Sequence, residues 1–290
     1  MKLGAVIITM GNRPDELRAL LDSVAAQDGD RVEVVVVGNG APVPDLPAGV
    51  RTVELPENLG IPGGRNVGIE AFGPAGADVD ALLFLDDDGL LPGRDTAELC
   101  RRAFETDPKL GIITFRIADP VTGATQRRHV PRLRAADPTR SSRVTTFLGG
   151  ANAVRTQVLA EVGTLPAEFF YAHEETDLAW RALDAGWMID YRADMVLNHP
   201  TTAPSRHAVY HRMVARNRVW LARRNLPAPL VPLYVGVWLL LTLVRRPSPP
   251  ALKAWFGGFR EGWSTPCGPR RPMRWRTVWR LTRLGRPPVI

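Results

Sequence analysis

Short runs of branched apolar residues recur along the first third of the chain, and polar or glycine residues follow each of them. They cover residues 3–9, Val32–Val37, Ala81–Leu85 and, more weakly, Val50–Leu55. Uninterrupted runs of this kind are typical of strands buried on both faces of a parallel sheet. Stretches with helical spacing at Asp15–Gln27 and Arg65–Phe72 separate them, so the order predicts an α/β fold with its site at the carboxyl ends of the strands.

The middle of the chain continues this alternation less regularly. Helices are expected at Glu98–Glu105 and His173–Ala185, and strands at Gly111–Ile117 and from Met188 onward. The polar, arginine-rich residues 118–146 predict an irregular excursion near the site. The stretch after Gly150 predicts a helix through Val162 that ends at Gly163. We therefore expect a mostly parallel central sheet with flanking helices.

Charge is divided unevenly along the chain. Residues 1–200 contain 20 Lys and Arg against 29 Asp and Glu, whereas residues 201–290 contain 17 Lys and Arg against the single acid Glu261. Such asymmetry indicates an anionic partner, either a membrane surface or nucleic acid. We expect a catalytic domain over residues 1–205 and a basic, Trp- and Arg-rich, mostly helical C-terminal region over residues 206–290.

The two cysteines and the N-terminal residues indicate in which cellular compartment the protein is expected. Cys100 and Cys267 are far apart and show no metal-binding spacing, which argues against a disulfide framework or a structural zinc site. The apolar run after Met1 is too short for a signal peptide and lacks a cleavage site. We expect a cytoplasmic protein.

An acidic triplet, Asp86-Asp87-Asp88, follows directly after the buried run that ends at Leu85. Adjacent carboxylates repel one another, so their placement at a strand end favours a divalent cation and phosphates that neutralise them. Mn²⁺ or Mg²⁺ suits carboxylate oxygens together with a nucleotide diphosphate. Asp86 and Asp88 are the predicted metal and ribose contacts, and a solvated acidic turn is the alternative.

A glycine-rich segment runs from Asn58 to Gly68 and includes Gly60, Gly63 and Gly64. Glycines let the backbone approach a ligand closely, and Arg65 at a helix start could meet a phosphate beside the helix dipole. The segment does not match the GxGxxG pattern that opens a helix after a first strand, so a dehydrogenase is not expected.

A second acidic group opens the helix predicted after His173. Glu175 could remove the proton of an acceptor hydroxyl. Glu174 and Asp177 could equally stabilise the helix through its dipole. His199, after the next predicted strand, is either a further metal ligand or an ordinary histidine at a strand end.

Together these segments resemble the family 2 glycosyltransferases with a GT-A fold, and most closely the rhamnosyltransferase-like branch. The resemblance spans about residues 3–225 and is carried by Thr9–Arg13, Asn58–Gly68, Phe84–Asp88, Gly149–Ala151, Glu174–Leu178 and His199. The chain departs from the family pattern twice. Gly38 stands where an Asp usually holds the nucleobase, which leaves that task to Asn39 or the backbone, and Glu175 stands where an Asp is the usual base.

The resemblance implies the role of each matching residue. Donor binding is assigned to Thr9, Asn12, Arg13, Asn39, Asn58, Gly63, Gly64, Arg65, Asn66, Asp86 and Asp87. Metal binding is assigned to Asp86, Asp88 and His199. The acceptor side is assigned to Gly149, Gly150 and Glu174, and catalysis to Glu175 and Asp177.

The predicted activity is metal-dependent transfer of a sugar, with inversion, from a UDP-, dTDP- or GDP-linked donor to a glycan or lipid-linked acceptor. The product could enter cell-surface polysaccharide or glycoconjugate synthesis. A nucleotidyltransferase is one alternative, distinguished by release of pyrophosphate. The other is a catalytically dead nucleotide-sugar-binding adaptor, distinguished by partner binding without release of a nucleoside diphosphate.

The C-terminal region suits an anionic membrane on the cytoplasmic side. Leu230–Val244 is about 15 residues long, against about 20 needed to span a bilayer, so an interfacial or buried helix is expected. Cations surround it at Arg223, Arg224, Arg245, Arg246, Lys253 and Arg270–Arg283, between Trp238, Trp255, Trp263, Trp275 and Trp279. Tryptophan and cations both favour a headgroup surface. Packing on the catalytic domain or a homo-oligomer interface are the alternatives, and nucleic-acid binding is less expected.

Overall fold

The computed structural model describes residues 1–132, 137–200, 208–245 and 247–290. Its strands are β1 (Leu3–Thr9), β2 (Glu33–Asn39), β3 (Arg51–Leu55), β4 (Ala81–Asp86), β5 (Leu110–Ala118), β6 (Ser142–Arg143), β7 (Ala151–Arg155) and β8 (Met188–Asn198). Its α-helices are α1 (Pro14–Ala25), α2 (Gly60–Glu70), α3 (Thr96–Thr106), α4 (Thr156–Val162), α5 (Glu174–Ala185), α6 (Ala208–Asn225), α7 (Leu230–Val244), α8 (Pro249–Ser264) and α9 (Trp275–Arg283). The predicted division at residues 205/206 and the predicted role of Arg246 lie outside the described residues.

The eight strands form one sheet in the order β3-β2-β1-β4-β7-β5-β8-β6. Pairings among β1, β2, β3 and β4 are parallel, as is that of β5 with β8, whereas β7 is antiparallel to both its neighbours. Thr9, Asn39 and Asp86 end three adjacent parallel strands, so their side chains reach the same edge. The predicted α/β fold with a mostly parallel sheet is confirmed.

Alternation along each strand divides the core between the two faces of the sheet. On β1, Ala5 and Ile7 join a cluster with Leu17 of α1 and Phe104 of α3. Val6 points to the other face, where the core includes residues of α2, α4, α5 and the C-terminal helices. Successive side chains of a strand point to opposite faces, so an uninterrupted apolar run is needed when helices cover both.

Two local predictions are wrong. Residues 151–155 are a strand, although their alanines favour a helix, because the sheet offers a place between β4 and β5 that buries them. Helix α2 begins at Gly60 instead of near Arg65. A Cβ at Gly68 would overlap the Val6 side chain, so the glycines let α2 lie close against β1.

The C-terminal helices pack on the α/β domain through α6, whose Trp220 and Leu221 continue the core. Helix α7 buries Val231, Tyr234 and Val235 and exposes Leu233, Leu240, Leu243 and Val244. Across the described ranges, no helix combines the length and the apolar character needed to cross a membrane.

Candidate active site

A cavity of about 480 Å³ opens at the carboxyl edge of β1, β2 and β4. Most of the predicted donor and metal residues line it, namely Thr9, Asn12, Arg13, Asn39, Asn58, Asp86, Asp87, Asp88 and His199. Met10, Gly60 and Ile61 also line it and belong to the segments Thr9–Arg13 and Asn58–Gly68 that the sequence analysis singled out, whereas the prediction missed Ile8, Phe170 and Tyr171. We call this space the donor cavity. It arises because parallel strands end at one edge, where their loops diverge.

The three carboxylates of the acidic triplet face different partners. Asp86 accepts a hydrogen bond from Arg65 at 3.1 Å, and Asp87 accepts one from the Thr9 hydroxyl at 2.7 Å. Asp88 contacts Arg13 and lies 3.1 Å from His199. Burial raises the pKa of Asp87. For Asp88 burial acts in the same direction, but the hydrogen bond from His199 and the charges of His199 and Arg13 lower the pKa overall.

Asp88 and His199 together fit a divalent cation. The His199 Nδ1 lies 2.8 Å from the Pro200 carbonyl oxygen, which can only accept, so this nitrogen carries the hydrogen. The Nε2 lone pair of a neutral imidazole then faces the Asp88 carboxylate, an arrangement that requires a proton or a metal ion between them.

No cluster of three or more His, Cys, Asp or Glu side chains among the described residues could hold a metal unaided. A cation at Asp88 and His199 would therefore take its other ligands from phosphate oxygens and water, as Mg²⁺ and Mn²⁺ do in phosphate-transfer sites. The Asp86 carboxylate pairs instead with the buried Arg65, so the structure does not bring the predicted Asp86 into this pair.

Asn39 organises the loop on the β2 side of the cavity. Its amide nitrogen donates to the Asn58 side-chain oxygen at 3.1 Å and to the Gly60 carbonyl at 3.0 Å, and its oxygen accepts from the Leu59 N–H at 2.9 Å. These three bonds occupy most of the amide's capacity. Asn39 thus holds the start of α2, where Gly60 adopts φ +73° against the backbone of Phe170.

Glu175 lies beyond Asp86 as seen from the donor cavity. One guanidinium joins them, since Arg65 Nη2 is 3.1 Å from Asp86 and Nη1 is 3.9 Å from Glu175. Both carboxylates press against glycines that precede β7. A Cβ at Gly149 would overlap Glu175, and one at Gly150 would overlap Asp86, so the pair Gly149-Gly150 makes room for both acids.

The two glutamates that open α5 differ in access. The Glu175 side chain is 22% exposed, whereas Glu174 is 1% exposed and its Oε2 has no hydrogen-bond partner. Burial, followed by the Glu175 charge, raises the pKa of Glu174 well above its ordinary value. Burial also raises the pKa of Glu175, and Arg65 opposes this. Glu175 is therefore the acid that a substrate can reach, and a raised pKa suits a base that works near neutral pH.

Comparison with known proteins places this arrangement in a family. The model of glycosyl transferase family 2 matches residues 5–163, which include the cavity edge, the acidic triplet and the Gly149-Gly150 pair. The chain belongs to glycosyl transferase family 2.

A curated relative of this family 2 chain is the pre-mycofactocin glycosyltransferase of Mycobacterium tuberculosis, 26% identical over 232 residues. The match covers 76% of this chain and 44% of the relative, so the chain spans less than half the relative's length. The rhamnosyltransferase-like branch is not among these findings.

Solved structures share the fold. The crystal structure of Staphylococcus aureus TarS 1–349 has a TM-score of 0.61 and 16% identity, covering 90% of this chain and 81% of that one. The mannosyltransferase PcManGT of Pyrobaculum calidifontis, in complex with GDP-Man and Mn²⁺, has a TM-score of 0.57 and 16% identity, covering 98% and 84%. The predicted GT-A fold is confirmed.

Several residues that the resemblance assigned to this family 2 site lie away from the cavity wall. Gly63 and Gly64 are buried inside α2, and Asn66 exchanges two hydrogen bonds with the backbone of Leu165. Arg65 is buried within the helix, so it is not the phosphate ligand at a helix start that the sequence predicted.

Asp177 is fully buried and the structure does not bring it to the cavity. It accepts hydrogen bonds from Arg181 at 2.8 Å, from Arg224 at 3.0 Å and from Asn225 at 2.7 Å. A carboxylate that accepts three hydrogen bonds, two of them from guanidinium groups, is held in a fixed position. Asp177 therefore fastens α5 to α6, and its predicted catalytic role has no support in its position.

Sequence reasoning also missed the turn that leads into α5. Phe170, Ala172 and His173 all have positive φ, which is strained for residues other than glycine. The Asn217 amide, from α6, donates to the carbonyl oxygens of Phe169, Tyr171 and Ala172 at 2.9, 2.7 and 2.9 Å. The only available signal was the aromatic run before the acidic residues. The C-terminal helices thus help to position the start of α5.

Glu174→Gln should stabilise the protein relative to the wild type, and this gain should grow as pH rises. In the wild type, the raised pKa of Glu174 means that stability is present in full below the unfolded value of 4.5 and is lost as pH rises toward the folded pKa. The slope is at most about 1.4 kcal/mol per pH unit. Thermal melts between acid and neutral pH should show no gain at the acid end and a growing gain above it. Glu16→Gln on the exposed face of α1 is the control, and identical profiles for both variants would contradict the prediction.

Proposed function

We propose that this family 2 chain transfers a sugar from a nucleotide diphosphate to an acceptor hydroxyl, with inversion at the anomeric carbon. The observation that carries the proposal is the Arg65 bridge between Asp86, on the wall of the donor cavity, and the reachable carboxylate of Glu175. The bridge joins a nucleotide-sized cavity to a carboxylate that can act as a base, which is what a displacement at a donor sugar requires.

The donor is a nucleotide sugar held along the strand ends. Related folds support this, since TarS 1–349 was solved with UDP-GlcNAc and PcManGT with GDP-Man and Mn²⁺. In this chain, Asn39 and Asn58 border the nucleoside part of the cavity, and Arg13 beside Asp87 and Asp88 supplies positive charge for the diphosphate. A donor screen should cover UDP-, dTDP- and GDP-linked sugars, rhamnose among them.

In the reaction, the acceptor oxygen forms a bond to the anomeric carbon while the bond from that carbon to the diphosphate oxygen breaks. Glu175 takes the hydroxyl proton as the oxygen attacks, and the nucleoside diphosphate leaves with the bonding electron pair. One displacement without a covalent enzyme intermediate inverts the configuration. Arg65 holds the Glu175 carboxylate near Asp86, so the base keeps a fixed position relative to the donor.

Asp88 and His199 are the residues that would hold a divalent cation, Mn²⁺ or Mg²⁺. Such a cation would neutralise charge that develops on the leaving diphosphate. Arg13 contributes positive charge at the same place. The proposal assigns Asp86 to orienting Arg65 and the donor sugar, because its carboxylate faces the guanidinium.

Glu175→Gln should keep donor binding and lose transfer. The amide preserves the shape of the carboxylate but cannot accept the proton, so kcat should fall by about 10²-fold or more. Titration calorimetry measures donor affinity, and release of nucleoside diphosphate with a glycan acceptor measures turnover. Glu16→Gln controls for the loss of one charge. Wild-type turnover in Glu175→Gln would disprove the assigned base.

Asp88→Ala should abolish the enhancement of donor binding by Mn²⁺, because only His199 would remain at the cation position. Melting temperatures with donor, with and without Mn²⁺, measure this coupling. Asp45→Ala, at an exposed loop position, is the control for unspecific effects of the metal. If Asp88→Ala kept the full Mn²⁺ response, the cation would bind elsewhere.

We further propose that the C-terminal helices hold the enzyme at the inner face of an anionic membrane, near a lipid-linked acceptor. The proposal rests on exposed apolar side chains in three of these helices, of which Leu240, Val244, Phe256, Trp263, Trp275 and Trp279 are the clearest. Arg276 and Arg283 are exposed beside the tryptophans of α9. Rings and cations that share one exposed face suit the headgroup region.

Vesicle sedimentation tests this surface. The wild type should pellet with vesicles of phosphatidylglycerol but not of phosphatidylcholine, and less at high salt because salt screens the cations. Trp275→Ser combined with Trp279→Ser should weaken pelleting, whereas Val121→Ser, at a 91% exposed site in another part of the chain, should not. Self-association in solution with no pelleting would show that these faces join copies of the chain instead.

A further inference from the structure

A second, smaller cavity lies behind the catalytic end of α5. Its volume is about 60 Å³, roughly the volume that two water molecules occupy in the liquid. Its polar lining comes from His173 and Thr176 at the start of α5, Arg218 of α6, Trp238 of α7, Arg286 after α9, and Thr146 before the Gly149-Gly150 pair. Pro287, Pro288 and Ile290 form one wall. We call it the rear cavity.

Its two guanidiniums have no carboxylate partner in the described chain. Arg218 lies over the Trp238 ring, 3.3 Å from the centroid, and reaches only the Tyr234 hydroxyl at 3.5 Å. Arg286 makes no side-chain hydrogen bond or ion pair within the described residues. Residues 133–136, 201–207 and 246, outside the description, contain no Asp or Glu in the sequence. Two cations that line one cavity and are partly shielded from water cost stability unless an anion joins them.

Two further polar groups of the cavity lining lack partners. His173 Nε2 and Trp238 Nε1 are buried without a hydrogen bond in the described structure. The indole N–H can only donate, and burial together with the charges of Arg218 and Arg286 keeps the pKa of His173 low, so its neutral ring can donate as well. Buried donors are normally satisfied, so these unmatched groups indicate an acceptor that is supplied from outside the chain.

The rear cavity lies at the start of α5, the helix that carries the proposed base. His173, held at φ +73°, immediately precedes Glu174 and Glu175, and the hydroxyls of Thr146 and Thr176 lie 3.5 Å apart at its wall. A larger space of about 270 Å³ shares Arg218 and Trp238 with it and adds Arg245 and Tyr210. Tyr210 packs against Tyr171, which lines the donor cavity, at 6.0 Å between ring centroids. A path of cationic and aromatic groups therefore connects the rear cavity with the donor cavity.

We propose that the rear cavity binds an oxyanion of the acceptor, a phosphate or carboxylate group, between Arg218 and Arg286. Guanidinium groups match both oxyanions, and the volume suits one such group and excludes a whole sugar. The assignment to the acceptor rests on the proposed function, because the cavity lies at the start of the helix that carries Glu175. The acceptor is then an anionic molecule, and its charged group sets the position of its hydroxyl.

The test uses the full chain and inorganic phosphate. Melting temperatures are measured over a phosphate series at constant ionic strength for the wild type, Arg286→Gln, Arg283→Gln and Arg13→Gln. Phosphate should stabilise the wild type. Arg286→Gln should weaken the apparent affinity by about 10- to 100-fold, the effect of losing one charged hydrogen bond. Arg283→Gln, exposed three positions earlier, should respond as the wild type does, and Arg13→Gln, in the donor cavity, should keep most of the response.

A second readout separates an anion site from a structural arginine. In buffer without phosphate, Arg286→Gln should melt at or above the wild-type temperature, because it removes a partly buried cation that has no anionic partner in the described chain. A clear drop would show that Arg286 supports the fold, and would overturn the proposal. An unchanged phosphate response in Arg286→Gln, or an equal loss in Arg283→Gln or Arg13→Gln, would overturn it as well. If Arg286→Gln does not fold, Arg286→Met repeats both measurements.

The source of the oxyanion is distinguished by three probes. Glycerol phosphate and glucuronate represent soluble phosphate and carboxylate groups, and phosphatidylcholine vesicles with and without a polyisoprenyl phosphate represent a lipid headgroup. The probe that binds less well to Arg286→Gln than to the wild type identifies the chemical class of the oxyanion. If the substitution weakens the binding of none of the probes, the proposal is overturned. Nucleoside diphosphate binding with Mn²⁺ is measured on the same proteins. If the wild type did not bind a nucleoside diphosphate, that result would count against the proposed function, whatever the phosphate series shows.

Discussion

The buried guanidinium of Arg65 is the interaction on which the site depends. It lies inside α2 with 3% of its surface exposed and contacts Asp86 on one side and Glu175 on the other. Burial of an arginine costs less when carboxylates pair with it, and two carboxylates that share one partner repel each other less when that partner is a cation. Each group therefore fixes the other two. The carboxyl end of β4 and the start of α5 are held together by this charge balance.

The geometry of that bridge requires close approach of backbone on several sides. Gly149 and Gly150 leave no Cβ where the two carboxylates lie, and Gly68 lets α2 rest against Val6. Glycine is needed here because the acids and the helix occupy the space that a side chain would fill. The glycine-rich segments thus act mainly by shaping the packing around Arg65, and Asn39 fixes the one loop that opens toward the donor cavity.

The C-terminal helices are part of this arrangement. Asp177 of α5 is bound by Arg224 and Asn225 of α6, and Asn217 of the same helix holds the strained turn before Glu174. Some of the basic residues that set residues 201–290 apart therefore form ion pairs and hydrogen bonds inside the protein. Others, such as Arg218 and Arg286, line a cavity and make no ion pair with a carboxylate in the described chain, while Arg283 is exposed. A single count of charge conceals these three different environments.

The sequence by itself determined the α/β order, the edge at which Thr9, Asn39 and Asp86 meet, and the length of α7, because apolar periodicity and strand polarity are local properties. It could not decide that residues 151–155 form a strand, since only the gap between β4 and β5 overrides their helical preference. Nor could it show that Glu175 and Asp177, both assigned to catalysis, lie in different surroundings. Both are acids in the first turn of α5, and only the tertiary structure leaves one reachable beside Arg65 while burying the other against α6, because access depends on which helices pack around that turn.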